Sequence, residues 1–284
     1  MIALDSQDTR PARGLFRYSR ASGGALEYNR ADMTPENTPA LEPQPAGMGE
    51  FSRLSGVFFE PRAAFADIAE RPRFWVPLIL MIVASLAYTI TISQRIGWDR
   101  VVQHQLESRM AQMSEQQREA VSRTMDIQVK MASIFGYVGG AIGVPIYYLI
   151  VGGILLGIVR GIMSVPVRFK QAFTIMCYAS LPGLIFTVLA IAVMFLKNPD
   201  DFDMRNPLPF FNLGGFMDPQ SPLKFLHSVA SSLDVFAIWT ILLVAAGLKS
   251  AGGKKLSFGG SLMAVAVPWA IWVLLRASLA SRFS

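Results

Sequence analysis

"FFEPRAAFADIAERPRFWVPLIL" (residues 58–80) changes character halfway along. Up to Arg73 it carries charges at helical spacing; from Phe74 onward it carries none and becomes a hydrophobic run. Pro61 suits the first turn of a helix, where its missing N–H is not needed. Pro72 discourages continuation of that helix. Between them Ala64, Phe65 and Ile68 form an apolar stripe, with Phe58 upstream, and Arg62, Asp67, Glu70 and Arg71 fall on the wet side. The pattern predicts a short amphipathic helix placed directly before a membrane span. Its stripe is expected in the headgroup region, with Arg71 and Arg73 at the inner boundary and Trp75 at interface depth. Packing on the cytoplasmic face of the bundle is the alternative.

The rest of the chain repeats the apolar half of this stretch. Of 284 residues, 52% are hydrophobic and only 16% charged, against about 25% charged in soluble domains. Charge nearly vanishes from five blocks, approximately 74–94, 133–159, 172–196, 229–248 and 257–279. Each is long enough to cross the hydrocarbon layer, which takes roughly 20 mainly apolar residues. Most lack the polar stripe that a soluble surface helix keeps. The expected fold is an all-α membrane protein: a bundle of five transmembrane helices, with the amphipathic helix before the first span and a helical outer loop between spans one and two.

The net charge of +6 has a definite place. The loop 160–170 holds Arg160, Arg168 and Lys170 with no acid, and the loop 249–256 holds Lys249, Lys254 and Lys255 with no acid. These six residues equal the whole net charge. Short basic loops between spans mark the cytoplasmic side. They predict a cytoplasmic N-terminus and an outward C-terminus. The basicity therefore reports orientation, not a nucleic-acid partner. The one cysteine, Cys177, lies inside the third block, so no internal disulfide can form.

Residues 1–50 are rich in Pro, Ser, Asn and Gly without apolar periodicity, the composition of a disordered tail. No apolar h-region opens the chain, so no cleavable signal peptide is expected, and Met33 and Met48 are alternative starts. Residues 51–284 form the transmembrane domain. Between spans one and two, 95–132 reads as two amphipathic helices broken near Ser114, with Ser114 and Gln117 spaced as a capping box. Between spans three and four, 197–225 is too rich in Pro, Asn, Asp and Gly for a regular element. Its Phe210, Phe211 and Phe216 are expected to dip into the interface or cap the bundle. The "DDFD" run (200–203) lacks the glycine and terminal glutamate of a calcium loop, so no metal and no cofactor is expected.

Span two carries glycines four apart: Gly136/Gly140, Gly139/Gly143 and Gly153/Gly157/Gly161. Small residues at this spacing let another helix backbone approach closely, which predicts span two as the central, tightly packed helix. Pro145, Pro182 and Pro268 are candidate kinks. Buried ionisable residues are nearly absent. Asp234 near the outer end of span four and Arg276 near the outer end of span five stand at similar depth, so an ion pair between them is expected. Helix capping is the alternative, compatible role for Asp234. No H-E-x-x-H, phosphate-loop or G-x-S-x-G motif occurs, and His104 and His227 lie in or beside outer connections. Nothing equips the chain as an enzyme.

"FSRLSGVFFEPRAAFADIAERPRFWVPLIL" (51–80), "YASLPGLI" (178–185) and "SSLDVFAIWTILLVAAGL" (231–248) followed by "GKKLSFGGSLMAVAVPWAIW" resemble bacterial members of the Yip family, named for eukaryotic Ypt/Rab-interacting membrane proteins. The resemblance covers roughly 51–280. It implies a five-span helical domain with a cytoplasmic N-terminus. Eukaryotic relatives are linked to small GTPases and vesicle traffic, but their DLYGP-like motif before the first span has no match here, where "EPRAAF" stands instead. The expected function is a non-enzymatic membrane protein that binds or organises other membrane components, in contact with the bilayer and with other membrane proteins or a second copy. A permease-like component with a path between kinked helices is the alternative, and lipid handling by the Phe-rich outer loop is a third.

Overall fold

The computed structural model describes residues 47–110, 113–204, 206–218 and 223–282. The tail expected over residues 1–50 lies outside the described residues as far as Ala46, and its last residue, Glu50, already belongs to a helix. The described chain is helical throughout, without a strand. Helices α1 (Glu50–Phe59) and α2 (Pro61–Glu70) precede the first span. Span one is α3 (Trp75–Arg95), followed by α4 (Trp98–Met110) and α5 (Glu115–Arg123). Span two is α6 (Met125–Val138) and α7 (Val144–Leu156), joined and followed by π-helical turns at Gly139–Gly143 and Gly157–Ile162. Span three is α8 (Phe169–Ala179) plus α9 (Pro182–Leu196). After α10 (Lys224–Ser232) come span four, α11 (Val235–Gly252), and span five, α12 (Phe258–Arg282). Five helical stretches are long and apolar enough to cross a membrane, and the chain is a multi-pass integral membrane protein.

Local chemistry explains most boundaries. The two expected helices of 95–132 meet at Ser114, whose side chain accepts from the Gln117 amide while Gln117 reaches back to the Ser114 amide. A second break at Thr124 then starts α6. Gly97 turns the chain from α3 into α4 at φ +86°, a conformation costly to any residue with a Cβ. Of the three prolines, Pro182 begins α9 after a bend at Ser180–Leu181. Pro145 stands just beyond the π-helical turn Gly139–Gly143, in the first turn of α7, and Pro268 sits inside α12 without a break. Span two runs 38 residues, about 57 Å at 1.5 Å per residue, so it extends well beyond a hydrocarbon layer. Span four begins at Val235, not at 229, because α10 ends at Ser232 and Asp234 caps a new helix.

The hub of the bundle is span three, not span two. Every residue from Gln171 to Pro182 is buried, and α8 packs against α2, α7 and α11. Small side chains at Ala172, Thr174, Cys177, Ala179 and Ser180 allow that crowding. The expected packing role of the span-two glycines holds only in part. A Cβ on Gly136 would strike the Trp98 ring, and one on Gly140 would come within 3.0 Å of Thr89 Oγ1. Beyond Gly139, Gly143, Gly153, Gly157 and Gly161 there is open space. The spacing groups them on shared faces, but among the described residues nothing packs within 4 Å of those five positions.

A glycine that the periodicity did not single out does more. A Cβ at Gly247 would collide with Ile175 and come to 3.0 Å from Phe65, so this absence of side chain lets α2 and α8 meet α11. Gly247→Ala is expected to destabilise the domain by about 1–3 kcal/mol through overpacking. Gly153→Ala and Gly157→Ala are expected to stay within about 0.5 kcal/mol of the parent. Denaturant-titrated unfolding in detergent micelles distinguishes the two groups, and equal losses at all three sites would contradict the assignment.

Candidate functional site: a buried ion pair beneath the amphipathic hairpin

Helices α1 and α2 fold back on each other about Glu60 and Pro61. Gly56 faces Ala64, where an added Cβ would be 3.2 Å from the Ala64 Cβ, and Arg53 faces Asp67. The hairpin lays its inner side on the bundle. Val57, Ala64, Phe65 and Ile68 are fully buried in the main core with Ile175, Tyr178 and Leu248, and Phe58 meets Trp239 edge-on at 5.5 Å. The stripe that was expected in the headgroup region is therefore covered by protein. Burying Phe65 and Ile68 is worth about 1.5–3 kcal/mol each, more than an interfacial position would return. Of the interfacial set, Arg71, Arg73 and Trp75 do stay on the surface.

Asp67, assigned to the wet side by its charge, is buried at 8% exposure, and Arg53 at 2%. Arg53 donates from Nε to Asp67 Oδ2 at 2.6 Å, and its Nη2 forms an ion-pair contact with the same oxygen at 2.6 Å. Asp67 Oδ1 accepts from Arg71 Nη2 at 2.7 Å and from the Met48 amide at 3.2 Å. Glu50 accepts from Arg53 at 3.4 Å and from the Tyr178 hydroxyl at 2.6 Å, which ties α1 to span three. Gln171 completes the seam: it donates to the Ala69 carbonyl at 2.7 Å and accepts from the Arg168 amide at 2.9 Å. Burial alone would push the Asp67 carboxyl up. The Arg53 hydrogen bond, the Met48 amide and the charges of Arg53 and Arg71 outweigh it and hold Asp67 below the ordinary carboxylate range. Burial likewise opposes the Arg53 charge, and its bonds to Asp67 and Tyr178 overcome that and push it up.

This arrangement offers little for acid–base chemistry. Both Asp67 oxygens and both Glu50 oxygens already accept from protein donors, so neither carboxylate is positioned to take a substrate proton. What it provides is rigidity: charges removed from water must keep their partners, and their partners lie on α1, α2, the α2–α3 link and α8. The sequence did carry a signal for it. Arg53 stands three and four residues before buried Gly56 and Val57, and Asp67 three after buried Ala64, so each charge shares a face with an apolar patch.

The other expected residues divide. Arg160, Arg168, Lys170, Lys254 and Lys255 are exposed, and Lys249 is half-buried with Nζ donating to the Gly253 carbonyl at 2.7 Å, closing the end of α11. The segments that carry them pack at the hairpin end, where Val159, Val165, Val167 and Leu256 join the same core as Phe65. Asp234 and Arg276 line one cavity of about 340 Å³ at the opposite end, but no ion pair joins them within 4 Å. Asp234 accepts instead from the Ala237 amide at 2.8 Å as the cap of α11. The first amides of α11 have no intrahelical acceptor, so the cap takes the carboxylate, and Arg276 stays exposed. Among the described residues no cluster of metal-ligating side chains occurs.

A five-span helical membrane domain with a helical hairpin locked onto the end of its third and fourth spans is the class of protein these features define. The Yip1 domain matches residues 55–279, and the chain belongs to that family. The match begins just after Arg53, so the ion pair straddles its edge. The chain is similar to membrane protein YknW of Bacillus subtilis, 26% identical over 202 residues that cover 70% of this chain and 78% of the relative. No solved structure matches.

Removing one partner of the pair is expected to cost about 3–5 kcal/mol, whereas replacing both with apolar residues is often neutral. Asp67→Asn should therefore expose the α1–α2 amides to hydrogen exchange, and Arg53→Met with Asp67→Leu should restore much of their protection. The pH dependence has a definite sign. A depressed carboxyl contributes stability above its unfolded value of about 3.9 and loses it as pH falls through the folded value. Arg53 stays charged throughout. Hairpin exchange should rise selectively below about pH 4, and a hairpin equally protected at acid pH would contradict the assignment.

Proposed function

We propose that this protein is a non-enzymatic membrane scaffold whose hairpin is a preformed docking surface for other membrane components. The observation that carries the reading is the buried Arg53–Asp67 pair with its tie to Tyr178. A helix that merely floats at the headgroups gains nothing from buried charge, whereas a docking surface gains affinity from being held in one geometry before binding. The outer side of α1 presents Phe51 and Phe59, both about 85% exposed. Exposed aromatics on a rigid element are the usual anchors of an interface. The six basic residues share this end, which orients it toward the cytoplasm of a bacterial inner membrane with the N-terminus inside and the C-terminus outside. Other membrane proteins or a second copy are the partners that fit.

The reading is tested by replacing Phe51 or Phe59 with a photoreactive amino acid in cells. Discrete protein adducts are expected from both positions, reduced at least severalfold when Asp67→Asn loosens the hairpin, and absent from the same probe at Leu149 in span two. Adducts to lipid alone would reduce the hairpin to a membrane anchor. The permease alternative is favoured by a different result: substrate-dependent flux in proteoliposomes that Asp234→Asn abolishes.

A further inference from the structure

The cavity at the end opposite the hairpin holds an unusual inventory. Asp234 and Arg276 both line it without pairing. Asp234 commits one oxygen to the Ala237 amide, so the other remains able to accept. Arg276 makes no hydrogen bond or ion pair to any described residue, which leaves a full guanidinium fork of donors. The Ser231 hydroxyl is buried against Gly214 behind the cavity wall, without a partner among the described residues. Asn206 accepts from Asn212 through Oδ1, at 2.7 Å, and keeps its amide hydrogens. Asn212 itself is saturated: it donates also to the Leu208 carbonyl and accepts from the Gly215 amide, and so fixes the loop that walls the cavity. The wall is built, while the lining is unsatisfied.

The opposite wall is one face of span five. Trp269, Trp272, Val273 and Arg276 recur at helical spacing and all line the cavity. Trp272 is 65% exposed and sits beside exposed Ile271, Leu275 and Leu279, so the cavity adjoins the apolar flank that faces the bilayer. Tryptophans near the end of a span mark headgroup depth. A separated cation and anion, the Asn206 amide and an indole wall together suit a ligand that carries both charges and continues into acyl chain. We propose that this cavity binds the headgroup of a phosphatidylethanolamine-type lipid, with its phosphate on Arg276 and Asn206 and its ammonium on the free oxygen of Asp234. Had Asp234 and Arg276 paired, each would have cancelled the other and left nothing to recognise. Keeping them apart preserves two sites of opposite sign.

The test uses the full chain in phosphatidylcholine nanodiscs doped with phosphatidylethanolamine or phosphatidylglycerol, with native mass spectrometry counting retained lipid. Phosphatidylethanolamine should be retained about tenfold over phosphatidylglycerol, the scale of one charge-assisted hydrogen bond. Arg276→Gln should lower its retention by a similar factor. Asp234→Asn keeps a good helix cap, so the fold is preserved while the preference over phosphatidylglycerol disappears. Arg123→Gln, an exposed arginine outside the cavity, should change neither. Equal retention of the two lipids, or retention unaffected by Arg276→Gln in a protein with parental thermal stability, overturns the proposal. So does O-phosphoethanolamine in water competing as well as the lipid, because the site would then read a soluble zwitterion.

Discussion

A charge taken out of water must bring its partner with it, and the hairpin end of this protein is organised around that constraint. Arg53 and Asp67 lie fourteen residues apart on two helices, and each is buried deeply enough that neither helix could sit on the bundle without the other. The pair therefore fixes the angle between α1 and α2, and that angle decides where the apolar stripe points. With the stripe committed, Phe65 needs room against span four, which Gly247 supplies by having no side chain. Span three must then be narrow where both meet it, and it is. The order of dependence runs from one ion pair to the packing of three helices.

The long elements were legible because they answer to composition alone. A block of twenty apolar residues has few options in water, and the five blocks, the basic loops between them and the Ser114 capping box all appear where local chemistry puts them. What stayed hidden depends on neighbours distant in sequence. The charge of Asp67 argued for solvent, and only its register with Ala64 on one helix and the register of Arg53 with Val57 on another argued against it. Helical spacing grouped the span-two glycines correctly, yet spacing cannot say whether a second helix lies on the shared face. Gly247 stood in no repeat and was passed over, although a Cβ there would collide with Ile175 whereas Gly139 and Gly153 face open space. Asp234 shows the same limit from the other direction: similar depth suggested Arg276, and a backbone amide three residues away was the stronger local claim.

The two ends of the bundle differ in a way that composition does not announce. At the hairpin end the buried polar atoms are saturated, down to both oxygens of Asp67 and both functional ends of Gln171. At the other end the accounting is left open. The buried polar atoms without partners among the described residues are Arg95 Nε, Trp98 Nε1 and the Ser231 hydroxyl, and all three stand there. Arg95 is otherwise held by the Phe195 ring at 5.2 Å and its carbonyl at 3.4 Å, so its neglected nitrogen is not a sign of a loose side chain. An orphan buried donor costs about 1–3 kcal/mol and is retained where water or a ligand takes up the bond. A saturated end suits a surface that must hold one shape, and an unsatisfied end suits one that must receive something. Saturated and unsatisfied polar atoms thus lie at opposite ends of the bundle, with span three, buried from Gln171 to Pro182 at one end and bending at Pro182 toward the other, as the rigid member they share.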